Sequence, residues 1–559
     1  LVIVLLAPRL PGVDSFVTID EPSWLSQGAN FYYALGQREF EKTVYEYQPA
    51  VTTMWIIATA MHLYFPEFRG FGQGYLDYEK GRLDPFMYGK GYDPLVLLEY
   101  ARLIQIFILL VLFLFLYYLL QKLIPKWVAF FAIIFASFDP FFLGHNRMLD
   151  HESMVALFVI VSVLSLTVYL VQDKKIIFLV ISGISAGLAQ LTKSSAIAIL
   201  APIGILLLFQ LIQEREKGWL KSFWNQTKVF LIWFAFLVFA YFIFWPGMWV
   251  APGTMLYEVY GNAFSYAFQG ARLKVTEELD VASFNLESNF YGVRNVFYIL
   301  LYRITPLTWL GVIFGFFYRF IKSGELIRVF KLLTTLLLVT AAGFILLIGI
   351  AQGRNSPHYI LTSYLALNLV AGFGWFHFLH WLIEKFNLTK FFWRVAPVAL
   401  ILTIQIWSAL SYFPYYYTYR NPILYSMGWY NEYPQFPYCE GLEKAAAHLA
   451  QFPGAEEATA FVYYPRGCFS YFFPGETTAF RPYYIDGNHN EDLLNYLTSA
   501  DYLVVYYANQ IQLPKYHPYL DIISTQEPIY EVWMYGYKYV QVYAVDSFPP
   551  EIFEALADL

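Results

Sequence analysis

Asp20 and Glu21 stand side by side in the run IDEPSW, directly after an apolar N-terminal stretch. A carboxylate at the mouth of a membrane helix is suited to general-base work, taking the proton of a hydroxyl as that hydroxyl attacks. Asp-Glu-Pro is also a good helix start, with Asp as the cap and Pro in the first turn. The two readings are compatible, because a cap aims the carboxylate it carries. Further along, HNRMLDHE holds Arg147, Asp150 and Glu152, QLTKSS holds Lys193, and QGRNSPHY holds Arg354 and His358. Taken singly, each has an ordinary explanation. Arg147 and Asp150 are three apart and suit a helical ion pair. Lys193 can snorkel to lipid headgroups, and His358 can cap a helix or sit in water. Taken together, ionisable groups at the ends of apolar runs are costly and mark functional sites. Cations and carboxylates gathered on one face suit an anionic, lipid-borne substrate.

The elements that must position these groups are membrane helices. The chain is 58% hydrophobic and only 14% charged, against about 25% charged in soluble domains. A net charge of -6 supplies no basic stripe, so nucleic acid is not a partner. Ten apolar runs are long enough to count: Leu97–Leu120, Trp127–Leu143, Met154–Val171, Ile176–Leu191, Ala196–Ile212, Val229–Trp245, Val296–Phe317, Leu332–Ile350, Tyr359–Leu382 and Val395–Phe413. The opening LVIVLLAP falls short of the roughly 20 residues a span needs. It reads as the end of a further helix, with a signal-peptide remnant as the rival, for about eleven helices in all. Lys122 and Lys126, Lys174 and Lys175, Arg215 to Lys228, Arg319 to Lys331, and Lys385 to Arg394 then fall on one side. By the positive-inside rule that side is cytoplasmic. The N-terminus starts inside, and the Asp20 loop and everything after Phe413 face out. The triplets Asn225-Gln-Thr and Asn387-Leu-Thr lie inside and are inert as glycosylation sites.

The expected fold is a polytopic α-helical membrane protein, with a transmembrane domain over 1–414 and a small extracytoplasmic α/β domain over 415–559. The outer loops run over about 11–92 and 246–295. In the first, VTTMWIIATAMHLYF reads as an amphipathic segment in the interface. In the C-terminal region GLEKAAAHLAQF reads as an amphipathic helix, and ATAFVYY, ADYLVVYYA and YKYVQVYAV read as strands. The two cysteines, Cys439 and Cys468, lie there. One disulfide and two separate thiols both fit this placement. No Cys/His spacing of a zinc site occurs.

The chain resembles the C-type glycosyltransferase superfamily, in its protein O-mannosyltransferase and aminoarabinose-transferase-like branch. The resemblance is carried by IDEPSW, QPAVTTMW, NRMLDHESM, GISAGLAQLTKSS, FYILLYRITPLTWLG and RNSPHYILTSYLAL, in the family's order. GLEKAAAHL and ADYLVVYYANQ are similar to the exterior domain of bacterial members. The resemblance implies transfer of a sugar from a polyprenyl phosphate to an acceptor hydroxyl, on a protein or glycolipid, at the outer face of the cell membrane. Asp20 would be the base of an inverting attack, and Glu21 would orient the acceptor or a basic partner. Arg147, Lys193, Arg354 and His358 would neutralise the leaving lipid phosphate. Asp150 and Glu152 form an acid-x-acid pair of a kind that holds a divalent metal in some members. Beside Arg147 it is read first as part of an ion pair, with a metal as the alternative, and no required cofactor is read. One departure stands out. Gln48-Pro49-Ala50 occupies the place where the family often has a Lys or His before Pro, so one phosphate or metal contact is missing. The competing classes are a transporter, which would carry matched repeats and broken mid-membrane helices, and an assembly protein with an exterior binding domain. An assembly role survives Asp20→Asn; a transferase does not.

Overall fold

The computed structural model describes residues 1–45, 48–263, 265, 286–321, 325–351, 356–388, 390–428, 436–480 and 490–559. By internal contact the chain divides into two units. The first holds Leu1–Pro11, Gly28–Gly74 and Ala101–Met427; the second holds Gly12–Gln27, Tyr75–Tyr100 and Gly428–Leu559. The segment with Asp20 and Glu21 therefore folds with the C-terminal region. The helix Glu21–Gln37 starts in the second unit and ends in the first.

Among the described residues, seven helices are long and apolar enough to cross a membrane: Pro94–Leu123, Glu152–Asp173, Ser194–Gln213, Trp219–Phe244, Ile327–Ile350, Pro357–Lys385 and Phe391–Leu410. They correspond to seven of the ten predicted runs. The run predicted at Val296–Phe317 is instead two helices, Phe290–Arg303 and Pro306–Tyr318, bent by 111°. Pro306 cannot supply the N–H that would continue the first helix, and it restricts the residue before it. Thr305 caps the second helix, its Oγ1 accepting the Thr308 N–H at 3.1 Å. The run at Trp127–Leu143 stops at Ser137, and Asp139 caps the separate helix Pro140–His145 through a 2.8 Å bond from Phe142 N. Ile176–Thr192 is apolar but only 17 residues long. At the N-terminus the helix is Val2–Leu6.

In the first unit the Glu152–Val168 helix is buried at every residue. It packs on Ile176–Thr192, where Ser162 and Ser182 exchange hydroxyl-to-carbonyl bonds of 2.8 and 2.7 Å. The other face of Ile176–Thr192 is made of small residues. A Cβ on Gly183 would lie 2.5 Å from the Trp233 carbonyl, and one on Gly187 would lie 2.6 Å from that of Leu237. The GISAGLAQ run is thus a surface for close helix approach. The helix ends at Thr192, and Lys193 follows directly in extended backbone. The predicted amphipathic segment is the helix Val51–Tyr64, which buries Val51, Met54, Ile57 and Met61 within this unit.

The second unit carries a five-stranded sheet: β1 Thr459–Val462, β2 Glu476–Ala479, β3 Tyr502–Val505, β4 Tyr530–Met534 and β5 Tyr537–Ala544. The order is β2-β1-β3-β5-β4. β1 lies parallel to β2 and β3, and β5 runs antiparallel to β3 and β4. The β4–β5 hairpin turns on Tyr535-Gly536, both with positive φ, as a two-residue hairpin of right twist requires. The predicted amphipathic helix forms at Leu442–Leu449 and buries Leu442, Ala445, Ala446 and Leu449, a helical spacing. Three strands match the reading; β2, with the polar run ETTA, and β4 lacked a strong alternating pattern.

Candidate active site

In the first unit, the turn between Pro140–His145 and Glu152–Val168 brings together groups that are far apart in sequence. Asp150 starts the longer helix, its Oδ1 accepting the Glu152 N–H at 3.0 Å. Its Oδ2 meets His145 Nδ1 at 2.9 Å, and His151 Nδ1 lies 3.8 Å from Oδ1. Glu152 forms a buried ion pair with Lys193, and His151 Nε2 stands 3.7 Å from the same carboxylate oxygen. Lys193 is 4% exposed. Its extended backbone ends the Ile176–Thr192 helix, and its ammonium sits 4.0 Å from the centre of the Tyr359 ring. The His358 ring lies 5.5 Å from that of His145. His145 Nε2 is buried without a hydrogen-bond partner among the described residues. A buried donor or acceptor left open in this way is a position that a ligand atom can satisfy.

Of the residues singled out from the sequence, Asp150, Glu152, Lys193 and His358 share this cluster. Arg147 does not pair with Asp150, which the imidazoles take instead. Its Nη1 donates to the Pro414 carbonyl at 2.9 Å and its Nε to that of Arg9 at 3.3 Å, with Pro11 accepting from Nη2. The guanidinium lies over Phe413 and Tyr416. Arg354 lies outside the described residues. The Gln48-Pro49-Ala50 segment runs beside the end of the Lys193 helix, with Ala50 N donating to the Thr192 carbonyl at 3.2 Å. Among the described residues no group of three or more His, Cys, Asp or Glu is arranged to hold a metal ion. Asp150 turns to His145 and Glu152 to Lys193, with His151 3.8 Å from the first carboxylate and 3.7 Å from the second.

In the second unit Asp20 is exposed and Glu21 is buried. Glu21 turns back, its Oε2 accepting the backbone N–H and hydroxyl of Thr18 at 2.8 and 2.9 Å. The bond from the Thr18 N–H is one half of a capping box, with the acid three residues after the threonine, and the Thr18 hydroxyl donates to the same carboxylate. Asp20 Oδ2 accepts the Tyr438 hydroxyl. Arg466 reaches the same segment. Its Nη2 donates to the Pro22 carbonyl at 3.0 Å and to Ser26 Oγ, its Nη1 to Tyr78 O at 2.6 Å and its Nε to Asp84 Oδ2 at 3.2 Å. Tyr471 donates to the other Asp84 oxygen at 3.0 Å. Burial raises the Asp84 carboxyl above its ordinary range, and the Arg466 guanidinium opposes part of that rise. Cys439 and Cys468 form a disulfide.

His145 and His151, inside the HNRMLDHE run, were not among the residues singled out from the sequence; an imidazole carries no fixed charge to set it apart in an apolar stretch. Tyr359 stands next to His358 and was not singled out either. Tyr438, Arg466 and Asp84 carried no local signal, since their importance depends on contacts hundreds of positions away.

Residues 97–245 match the family described as dolichyl-phosphate-mannose-protein mannosyltransferase. The resemblance read from the motifs is borne out over this segment, which holds Arg147, Asp150, Glu152 and Lys193. No curated protein matches the chain significantly. Among solved structures, ArnT from Cupriavidus metallidurans bound to undecaprenyl phosphate is 12% identical, with 96% of each chain covered and a TM-score of 0.45. The S. cerevisiae protein O-mannosyltransferase Pmt1-Pmt2 complex bound to the sugar donor is 17% identical over 50% of this chain and 36% of that one, with a TM-score of 0.33. The Archaeoglobus fulgidus oligosaccharyltransferase is 12% identical over 91% of this chain and 69% of that one, with a TM-score of 0.42. At these scores the likenesses decide nothing about the chemistry of this chain.

Proposed function

We propose that this chain, a C-type glycosyltransferase by its motifs and by the family that residues 97–245 match, moves a sugar from a polyprenyl phosphate to an acceptor hydroxyl. The acceptor belongs to a protein or a glycolipid, and the reaction takes place at the outer face of the cell membrane. The observation that carries the reading is the cluster in the first unit of buried Lys193, Glu152 and His145 with half-buried Asp150 and His358. Ionisable groups are retained in such surroundings at a cost, and their usual return is function.

Each role follows from its own surroundings. Lys193 has three donors. Glu152 takes one and holds the ammonium in place, which leaves donors for a phosphate oxygen. His358 offers a further hydrogen bond to the same anion, while His145 directs its Nδ1–H to the Asp150 carboxylate and leaves Nε2 as an acceptor for a hydroxyl. Arg354, in the neighbouring QGRNSPHY run, is assigned the bidentate contact that a guanidinium makes with phosphate. Arg147 is read as the residue that fixes the 145–152 turn, because its donors go to backbone carbonyls. Asp20 is the base. Its carboxylate is exposed at a helix start while its neighbour Glu21 is spent on capping. In the reaction the acceptor oxygen bonds to the anomeric carbon from the face opposite the phosphate, and its proton passes to Asp20. The bond from that carbon to the phosphate oxygen breaks, and its electron pair leaves on the lipid phosphate. Charge developing on that oxygen is what the fixed cations stabilise.

The test is transfer by the purified protein in lipid, offered several polyprenyl-phosphate sugars and both acceptor classes. Lys193→Met and His358→Gln are expected to weaken donor binding. Arg354→Ala is expected to weaken it more than Arg354→Lys, which keeps the charge and loses the fork. Unchanged donor binding in all four variants would remove the phosphate-site assignment.

A further inference from the structure

Asp20 is exposed and directly precedes the Glu21–Gln37 helix. Two loops of the second unit restrict it. One ends at Tyr438, whose hydroxyl donates to Asp20 Oδ2. The other is the turn at Arg466, which binds the Pro22 carbonyl and the Ser26 hydroxyl one turn further along the same helix. The fit between that turn and the helix start is close. Gly467 has a φ of +70°, and a Cβ there would lie 3.2 Å from Val17 Cγ1 and closer still to Pro22. The guanidinium is itself fixed by Asp84 and Tyr78.

The two loops are joined covalently. Cys439 follows Tyr438 directly, Cys468 is two residues after Arg466, and the bridge holds their Cα atoms 5.9 Å apart. The Tyr438 side is also seated from within. Buried Glu440 accepts the Tyr438 N–H at 2.5 Å and the Tyr506 hydroxyl at 2.7 Å, and Tyr506 Oη accepts the Cys439 N–H at 2.9 Å. Cys439 itself is held at a φ of +81°, which a non-glycine residue adopts only when its surroundings impose it.

We infer that Tyr438 and Arg466 are positioning residues for the Asp20 carboxylate, and that the Cys439–Cys468 bridge locks them into one clasp around the start of the Glu21–Gln37 helix. The inference rests on the reading of Asp20 as the base. A base must be held in its productive orientation for its full effect, and a displacement of about 1 Å can cost on the order of 10²-fold in rate.

The experiment measures kcat and donor KM for full-length protein in lipid, with Tyr438→Phe, Arg466→Lys and the double change Cys439→Ser/Cys468→Ser. Tyr438→Phe removes one oxygen and is expected to lower kcat by roughly tenfold or more with donor KM unchanged, the signature of a contact used only in the transition state. Arg466→Lys and the cysteine pair are expected to lower kcat in the same way. Tyr438→Phe is repeated in an Asp20→Asn background, where a residue acting through Asp20 has no further effect. If Tyr438→Phe leaves kcat unchanged, or lowers it by the same factor in both backgrounds, the clasp is wrong. If Asp20→Asn alone turns over normally, the base assignment fails first, and the two failures are told apart.

Discussion

At the scale of single residues, the two adjacent carboxylates of IDEPSW have different surroundings, Asp20 exposed and Glu21 buried against Thr18. Asp20→Asn keeps size and most hydrogen bonds but loses basicity, so transfer is expected to fall by roughly 10²–10⁴-fold while the protein stays folded. Near-normal turnover by that variant would exclude Asp20. Glu21→Gln removes a charged cap, and its main expected effect is a stability loss of about 1 kcal/mol, with a smaller change in transfer. Thermal unfolding alongside the transfer assay separates the two. Asp84 supplies the pH dependence. Its folded pKa lies above its ordinary value because of burial, partly offset by Arg466. The folded state therefore holds this proton more tightly than the unfolded state. The stability tied to the group is greatest below the unfolded pKa, falls as pH rises toward the folded pKa, and is level above it. The stability advantage of the parent over Asp84→Asn should shrink across that acidic window. An advantage that grows instead would contradict the assignment.

At the scale of elements, the path to the buried cluster runs through glycine. Gly183 and Gly187 let the Ile176–Thr192 helix approach Trp219–Phe244 so closely that a methyl group would meet backbone carbonyls. Gly187→Ala is expected to destabilise the first unit by about 1–3 kcal/mol through overpacking. It should also weaken donor binding, because Lys193 follows directly on the displaced helix end. A donor titration unaffected by this change would show that the cluster does not depend on that contact. The same helix end explains why Glu152 and Lys193 act as a unit. Removing one member leaves a buried charge uncompensated, at a cost of about 3–5 kcal/mol.

At the scale of the whole molecule, the proposal that the second unit faces out agrees with its disulfide, a bond that forms and persists in oxidising compartments. A cysteine introduced at exposed Glu527 should react with a membrane-impermeant reagent on intact cells, and one at exposed Lys221 should not. Labelling of Lys221 alone would invert the topology.

Apolar runs, their lysine and arginine flanks and the motif series were legible in the chain because each depends on neighbours in sequence. That is why the membrane helices, the amphipathic helix at Leu442–Leu449 and three of the five strands could be read, and why the family resemblance agrees with the family that residues 97–245 match. The bend at Thr305-Pro306 is also local in origin, because Pro306 cannot supply the N–H that would continue the helix. What the tertiary structure decided is partnership. The spacing pairs Asp150 with Arg147, and the turn at 145–152 gives it to His145 instead. Asp20 and Glu21 differ by one position, yet one is exposed and the other capped, because a helix start turns successive side chains to different surroundings. Tyr438 and Arg466 reach the same helix from more than 400 residues away. Only folding brings such groups together, since contact at that separation is set by packing and not by local preference.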